Sequence, residues 1–169
     1  MGQGVPFEMK TDKKNEERKN LEELKKHEKV QEMKQYIQHG DVSTFEHCEK
    51  VAELSSKINQ RFHINADEET LMRGAMLHDF YLYDWHHKDN GTHDLHGFFH
   101  AEKASENAEK ILHEDKHVCD VIRTHMWPLN ITKVPGSREA WIVCAADKIV
   151  SIEETLRGRK GRKKEKEEK

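Results

Sequence analysis

Apolar residues recur every three or four positions through the middle of the chain, as in amphipathic helices. After "DVST", starting at Asp41, the apolar positions share one side and predict a helix of four or five turns: Cys48, Val51, Ala52, Ser55, Ile58 and Phe62. The stretch from Asn65 to Phe80 repeats the pattern, with Asn65 or Asp67 as its N-cap. No segment alternates as a strand does, and no internal repeat occurs, so the pattern predicts an all-α fold.

The same spacing predicts further helices before and after these two in the sequence. Val30, Met33 and Ile37 recur at helical spacing, and Gly40 follows in a position that favours a helix end. Further helices are predicted over 100–112, over 114–126 with Pro128 beyond its end, and over 137–156 with Ser137 as a cap. These elements predict a compact bundle of about six helices.

Charge is concentrated at the two ends of the chain and sets the domain boundaries. Within residues 1–29, the stretch from Thr11 to Lys29 is mostly Lys, Glu and Asn, with Leu21 and Leu24 as its sizeable apolar residues, which predicts a frayed helix or tail. Residues 157–169 contain eight basic and three acidic side chains. We therefore expect one helical domain over 30–156 between two charged, flexible extensions.

The net charge of −3 argues against a protein that coats nucleic acid or an acidic membrane. The basic C-terminal segment leaves a nucleic-acid contact as the minor alternative to a solvated tail. The three cysteines are far apart and form no CxxC pair, which favours packing in a reducing compartment. Because no secretory signal or membrane-length apolar run is present, we expect a cytoplasmic protein without membrane contact.

Four ionisable residues fall on or beside the apolar faces of separate predicted helices: His47, His78, His125 and Asp147. A single inward histidine is more often a hydrogen-bonded core residue than a metal ligand. An unpaired buried carboxylate, however, costs several kcal/mol. The joint pattern, with Asp79 directly after His78 at a helix end, therefore favours a nitrogen and oxygen cage for a divalent cation.

The order of these residues resembles a known signature. His47, then "HD" at His78-Asp79, then Asp147 in "AADKI", is similar to the H…HD…D pattern of the HD-domain superfamily of metal-dependent phosphohydrolases. The resemblance spans 30–156. The segments "HDFYLYDWHH", "HGFFHAEKA", "THMWPL" and "ADK" also resemble a group of small, largely uncharacterised bacterial HD proteins.

A second motif resembles HD proteins that hold two metals. "HAEKAS", from His100, is similar to their H-P-x-x-G-A element, although Ala101 and Ala104 replace the usual Pro and Gly. His125 ends the next predicted helix, as a second additional ligand would. His96 lies one turn before His100 and is an alternative to it, so both one and two metals stay open.

The resemblance implies the metal ligands and the ions. The first metal would be held by His47, His78, Asp79 and Asp147, and Asp79 would bridge to a second metal on His100 and His125. Imidazole and carboxylate ligands suit one or two divalent transition metals, Fe, Mn, Co, Ni or Zn, better than Ca. A metal-bound hydroxide would then cleave a small phosphate ester or a nucleotide.

Further residues are candidates for contacts with such a substrate. Lys148 is the preferred phosphate contact, and Arg138 and Arg73 are alternatives that also fit ordinary surface or ion-paired positions. Asp84 and His86, in the loop after the His-Asp pair, are the leading candidates for a general acid. Trp127 is a candidate wall for a nucleobase, with core packing as the alternative.

Two other functions stay open at this point. The same helical fold could be a non-hydrolytic module that binds a nucleotide or metal, or that docks to a partner through its charged ends. A di-iron HD oxygenase is the third hypothesis. The residue pattern does not identify the substrate, the native metal or the oligomeric state.

Overall fold

The computed structural model describes residues 7–39, 41–83 and 96–167. These residues form seven α-helices, which we number in chain order: α1 Phe7–Lys26, α2 Glu28–Gln31, α3 Thr44–Arg61, α4 Glu68–Leu77, α5 His96–Leu112, α6 Lys116–Thr124 and α7 Arg138–Glu167. A 3₁₀ helix, Glu32–Gln35, and two short strands, β1 Ile37–His39 and β2 Val42–Ser43, join α2 to α3. The all-α prediction is confirmed.

The β1–β2 ribbon differs from the expectation that the chain has no strands. It is antiparallel, with Ile37 opposite Ser43 and His39 opposite Val42. Strands this short hold too few residues to show an alternating pattern in the sequence. Val30 is buried, as its helical spacing predicts, but Ile37 lies in β1 and is 40% exposed. Gly40, predicted to end a helix, lies outside the described residues.

Helix α3 begins with a reciprocal cap that fixes its first turn. The Ser43 hydroxyl accepts from the Glu46 backbone N–H, and the Glu46 carboxylate accepts from the Ser43 N–H at 3.0 Å. Such a capping box satisfies two backbone donors that have no partner within the helix. It holds His47, the next residue, on the buried face of α3. Most of the predicted stripe is also buried, but Phe62 is 69% exposed.

Helices α4 and α6 approach each other closely at Gly74. A Cβ atom there would lie only 2.6 Å from Cγ1 of Val121 in α6. Asp67 is the N-cap of α4, which decides between the two predicted caps. The helix ends at Leu77, so that His78 is its C-cap, and His125 is the C-cap of α6. The two imidazole rings consequently meet, with centroids 4.8 Å apart.

The last turns of α1 belong to the core. Leu21 and Leu24 are 8% and 6% exposed and cluster with Val30, Met33 and Phe45. The segment predicted as an N-terminal extension therefore contributes to the core through its two sizeable leucines.

Helix α7 also extends beyond expectation. Its backbone stays helical to Glu167, through most of the segment predicted as a tail. No helix within the described ranges is both long and apolar enough to cross a membrane. The predicted domain boundaries at residues 29/30 and 156/157 stay predictions.

Candidate metal centre

The structure brings all six predicted metal ligands into one buried cluster. Each has at most 8% of its surface exposed: His47 in α3, His78 and Asp79 at the end of α4, His100 in α5, His125 at the end of α6 and Asp147 in α7. Five helices therefore contribute to a single centre. Neither Ala101 nor Ala104, the departures from the two-metal motif, prevents His100 from reaching it.

One half of the cluster is built around Asp147. Its Oδ1 atom lies 3.3 Å from His47 Nε2 and 3.7 Å from His78 Nε2. Asp79 Oδ2 lies 3.3 Å from His78 Nε2 and 4.0 Å from His47 Nε2. The ligand atoms of His47, His78 and Asp147 all lie within 4.8 Å of one another, which is close enough to hold one ion.

The other half is built around the second oxygen of Asp79. Its Oδ1 atom lies 3.3 Å from His100 Nε2 and 3.7 Å from His125 Nε2. The two Nε2 atoms are 3.1 Å apart. The Asp79 carboxylate thus faces histidine nitrogens with each of its two oxygens.

Backbone carbonyls orient two of these rings. His78 Nδ1 donates to the Ala75 carbonyl at 2.8 Å, and His125 Nδ1 donates to the Ile122 carbonyl at 2.7 Å. Because a carbonyl only accepts, each Nδ1 carries the proton in the neutral ring. The unprotonated Nε2 atoms then point into the cluster, as metal ligation requires.

Two buried atoms in the cluster indicate whether a cation fits there. Within the described part of the chain, His78 Nε2 and Asp79 Oδ1 are buried and have no hydrogen-bond partner. Leaving such a polar group unsatisfied costs about 1–3 kcal/mol. A divalent cation accepts electron pairs from both, and imidazole with carboxylate is a ligand set of transition metals. The residues therefore fit such an ion.

The two carboxylates stay ionised despite their burial. Burial would raise the pKa of Asp79, but the adjacent His78 holds it well below the ordinary range. Burial acts the same way on Asp147, but the nearby His47 and His78 imidazoles lower its pKa well below the usual value. The centre is thus anionic before it takes up protons or cations.

The histidines differ in how they respond to this charge. Burial disfavours the charged form of His78, yet neighbouring Cys48 and Asp79 raise its pKa well above the ordinary value. Burial, followed by repulsion from His78, lowers the pKa of His125 to about 3. Protons and metal ions therefore compete for the same atoms, since a ligating imidazole must be deprotonated.

Lys148 lies at the edge of the cluster. Its Nζ atom is 3.9 Å from Asp147 Oδ2 and donates to the His125 carbonyl at 2.9 Å and to the Cys144 carbonyl at 3.2 Å. The side chain is 39% exposed. It is therefore next to the metal ligands and open to a ligand from solvent. The role of phosphate contact stays a prediction.

The two candidate arginines are engaged elsewhere. Arg73 donates from Nε to Glu114 Oε2 at 2.9 Å, and Arg138 donates to the Ile64 carbonyl at 3.0 Å. Neither of these contacts involves the cluster. A phosphate role for either arginine stays a prediction that the geometry does not favour.

The remaining predicted residues lie beside or outside the described site. The partly buried Trp127 ring packs edge-on against Trp141, with centroids 5.0 Å apart. Its use as a nucleobase wall stays a prediction. Asp84 and His86 fall outside the described residues, and His96 begins α5 with its side chain outside them.

Sequence reasoning missed two polar residues that contact the candidate ligands. Gln38, in β1, donates to Asp79 Oδ2 at 2.6 Å, and Glu154 Oε2 lies 2.9 Å from His47 Nδ1. Glu154 comes seven residues after Asp147, which places both carboxylates on one face of α7. That spacing was a usable signal. Gln38 gave none, because its segment was predicted to be helical.

Comparison with known proteins agrees with this geometry. A family model described as HD domain matches residues 44–151, which is more than half of the chain. The matched range includes all six residues of the cluster. Comparison with curated proteins gave no match.

Proposed function

Because the chain belongs to the HD domain family, we propose that it is a metal-dependent phosphohydrolase that cleaves a small phosphate ester or a nucleotide. The observation that carries the proposal is the pair of unsatisfied buried ligand atoms, His78 Nε2 and Asp79 Oδ1. They lie inside a group of four histidines and two aspartates. A catalytic metal centre accounts for this arrangement better than a structural core does.

Each part of the cluster has a role in this proposal. His47, His78 and Asp147 would hold one divalent ion, His100 and His125 would hold a second, and Asp79 would serve both. Bound divalent ions lower the pKa of water toward neutrality and neutralise charge on a phosphoryl group. Asp79 Oδ2 lies 3.3 Å from His78 Nε2, and Asp79 Oδ1 lies 3.3 Å from His100 Nε2. Because each oxygen faces a different histidine, the arrangement favours two ions over one.

Lys148 supplies a fixed cation for the substrate. Two backbone carbonyls, of His125 and Cys144, hold its ammonium group beside Asp147 while part of the side chain stays exposed. A phosphate oxygen that approaches the cluster from solvent would form a charge-assisted hydrogen bond with it. Lys148 would thus orient the phosphoryl group.

The test is a hydrolysis screen on chelator-treated protein with Mn, Fe, Co, Ni, Mg or Zn added back. The substrates are a phosphomonoester, a phosphodiester and a set of nucleotides. His78→Ala should abolish turnover, because it removes one of the three residues, His47, His78 and Asp147, whose ligand atoms lie close enough to hold an ion. Glu114→Gln, which alters a buried ion pair with Arg73 away from the cluster, should retain turnover in the folded protein.

The outcomes separate an enzyme from a binding module. Metal-dependent turnover that His78→Ala abolishes supports the proposal. Stoichiometric metal binding without turnover on any ester would overturn the hydrolase and favour the non-hydrolytic module. Turnover that survives His78→Ala would show that the cluster is not the catalytic centre.

A further inference from the structure

We propose that Glu154 is a positioning residue that fixes the tautomer of His47 and strengthens its bond to a metal. The inference rests on the proposed function, since it assumes that the cluster holds a cation. Glu154 lies outside residues 44–151, the range that the family model matches. Its role is therefore argued from the contacts of this chain alone.

The Glu154 carboxylate is buried directly behind the His47 ring. Its side chain is only 4% exposed, although it lies on α7, far from α3 in sequence. Oε2 lies 2.9 Å from His47 Nδ1, and Oε1 accepts from Lys50 Nζ at 2.8 Å. Both oxygens are thus engaged, and the carboxylate is held in one orientation.

This contact decides which nitrogen of His47 faces the cluster as a ligand. An ionised carboxylate only accepts, so His47 Nδ1 must carry the proton and donate it to Glu154. The lone pair that a cation would take is then the one on Nε2, which without a cation faces Asp147 Oδ1 at 3.3 Å. A carboxylate behind a ligating histidine also raises the basicity of the ring, and loss of such a partner typically weakens metal binding ~10–100-fold.

The hydrogen-bond acceptor at Nδ1 of His47 differs from those at Nδ1 of His78 and His125. His78 and His125 lie at helix C-caps, where their Nδ1 atoms reach carbonyls three residues earlier in their own helices. His47 lies in the first turn of α3 and receives a charged acceptor from α7 instead. Of these three rings, His47 therefore gains the most electron density from its partner.

Lys50 offsets the free-energy cost of burying the Glu154 carboxylate. A buried carboxylate without a cationic partner costs several kcal/mol. Lys50 lies one turn after His47 on the same helix, and its side chain is 45% exposed, so its own charge stays partly solvated. The ion pair offsets the burial of Glu154 while Oε2 remains directed at His47.

The test compares the affinity of wild-type, Glu154→Gln and Glu114→Gln proteins for Zn²⁺, measured by competition with a chromophoric chelator. Glu154→Gln should bind ~10–100-fold more weakly. Glu114→Gln changes an equally buried, ion-paired carboxylate away from the cluster, and it should leave the affinity unchanged. Equal affinities of wild type and Glu154→Gln would overturn the inference while leaving the metal centre intact.

A second measurement avoids variants altogether. Nitrogen NMR of wild-type protein labelled at histidine reports which ring nitrogen carries the proton. With Zn²⁺ bound, His47 should be protonated at Nδ1 and ligated at Nε2, and the reverse assignment would overturn the inference. Wild-type protein that binds no metal would overturn the proposed function as well, so the two failures are distinguishable.

Discussion

The Gln38 side-chain amide lies 2.6 Å from Asp79 Oδ2, so the short strand β1 supplies a buried donor to the central carboxylate of the cluster. The Oε1 atom of the same Gln38 side chain accepts from the Tyr81 hydroxyl at 2.5 Å, which fixes the orientation of the amide. Because Oδ2 is held in this way, Oδ1 is directed at His100 and His125. The β-ribbon therefore helps to set the carboxylate angle.

Replacing Gln38 by a side chain of similar size without polar groups should destabilise the fold. Gln38→Met leaves Asp79 Oδ2 without this donor and Tyr81 without this acceptor, and it should lower the free energy of unfolding by about 1–3 kcal/mol. Urea denaturation measures the change. Gln60→Met is the matched control, because exposed Gln60 donates only from the surface, to Ser56. A Gln38→Met protein as stable as this control would contradict the prediction.

The α4–α6 approach at Gly74 predicts a steric effect. Gly74→Ala would place Cβ 2.6 Å from Val121 Cγ1, and overpacking of this kind costs about 1–3 kcal/mol. Thermal unfolding should show the loss.

Two further variants isolate the cause of that loss. Val121→Ala removes the clashing methyl groups, so it should destabilise the Gly74→Ala background less than it destabilises wild type. Gly158→Ala, in α7, meets nothing within 4 Å and should stabilise by about 0.5–1 kcal/mol. Strictly additive effects of Gly74→Ala and Val121→Ala would contradict the clash.

The contacts of the two Asp79 oxygens with different histidines lead to a prediction of the number of ions bound. Wild-type protein saturated with Mn²⁺ or Zn²⁺ should hold two ions, and His100→Ala should hold one, because His100 Nε2 lies 3.3 Å from Asp79 Oδ1, the oxygen that faces the second histidine group. Equilibrium dialysis followed by metal analysis gives the count. One ion in both proteins would establish a mononuclear centre.

Replacing Lys148 should weaken the binding of a phosphate ester without weakening the binding of metal. Lys148→Met should raise KM for a phosphate ester about 10–100-fold, because a hydrogen bond to a charged group contributes about 1.5–3 kcal/mol. Its affinity for metal should not fall, since Nζ donates to the His125 carbonyl and lies 3.9 Å from Asp147 Oδ2, while it is Oδ1 of Asp147 that faces His47 and His78. An unaltered KM would remove Lys148 from the substrate site.

The buried cluster of candidate ligands was largely predictable because several of its signals are local. His47 and Asp147 stand on apolar helix faces, and His78-Asp79 stands where apolar spacing ends. Helical periodicity tells which side of a helix a residue occupies, and burial of an ionisable group requires a partner. The order of the residues then supplied the resemblance that the family match confirms.

The supporting residues depend on contacts that no local pattern encodes. The bond from Gln38 to Asp79 joins a three-residue strand to a helix end 41 positions away. Helix α1 docks through Leu21 and Leu24, which belong to the same core cluster as Val30 of α2 and Met33 of the 3₁₀ helix. Such long-range packing overrides the low apolar content of the N-terminal segment.

Metal content of wild-type and Asp79→Ala proteins tests the central claim most directly. Both are stripped with chelator, incubated with Mn²⁺ or Zn²⁺, freed of excess ion and analysed by mass spectrometry. The wild-type protein should retain one or two ions per chain, and Asp79→Ala should lose most of them, because Asp79 faces both histidine groups. A folded wild-type protein without metal, or equal metal in the variant, would contradict the account.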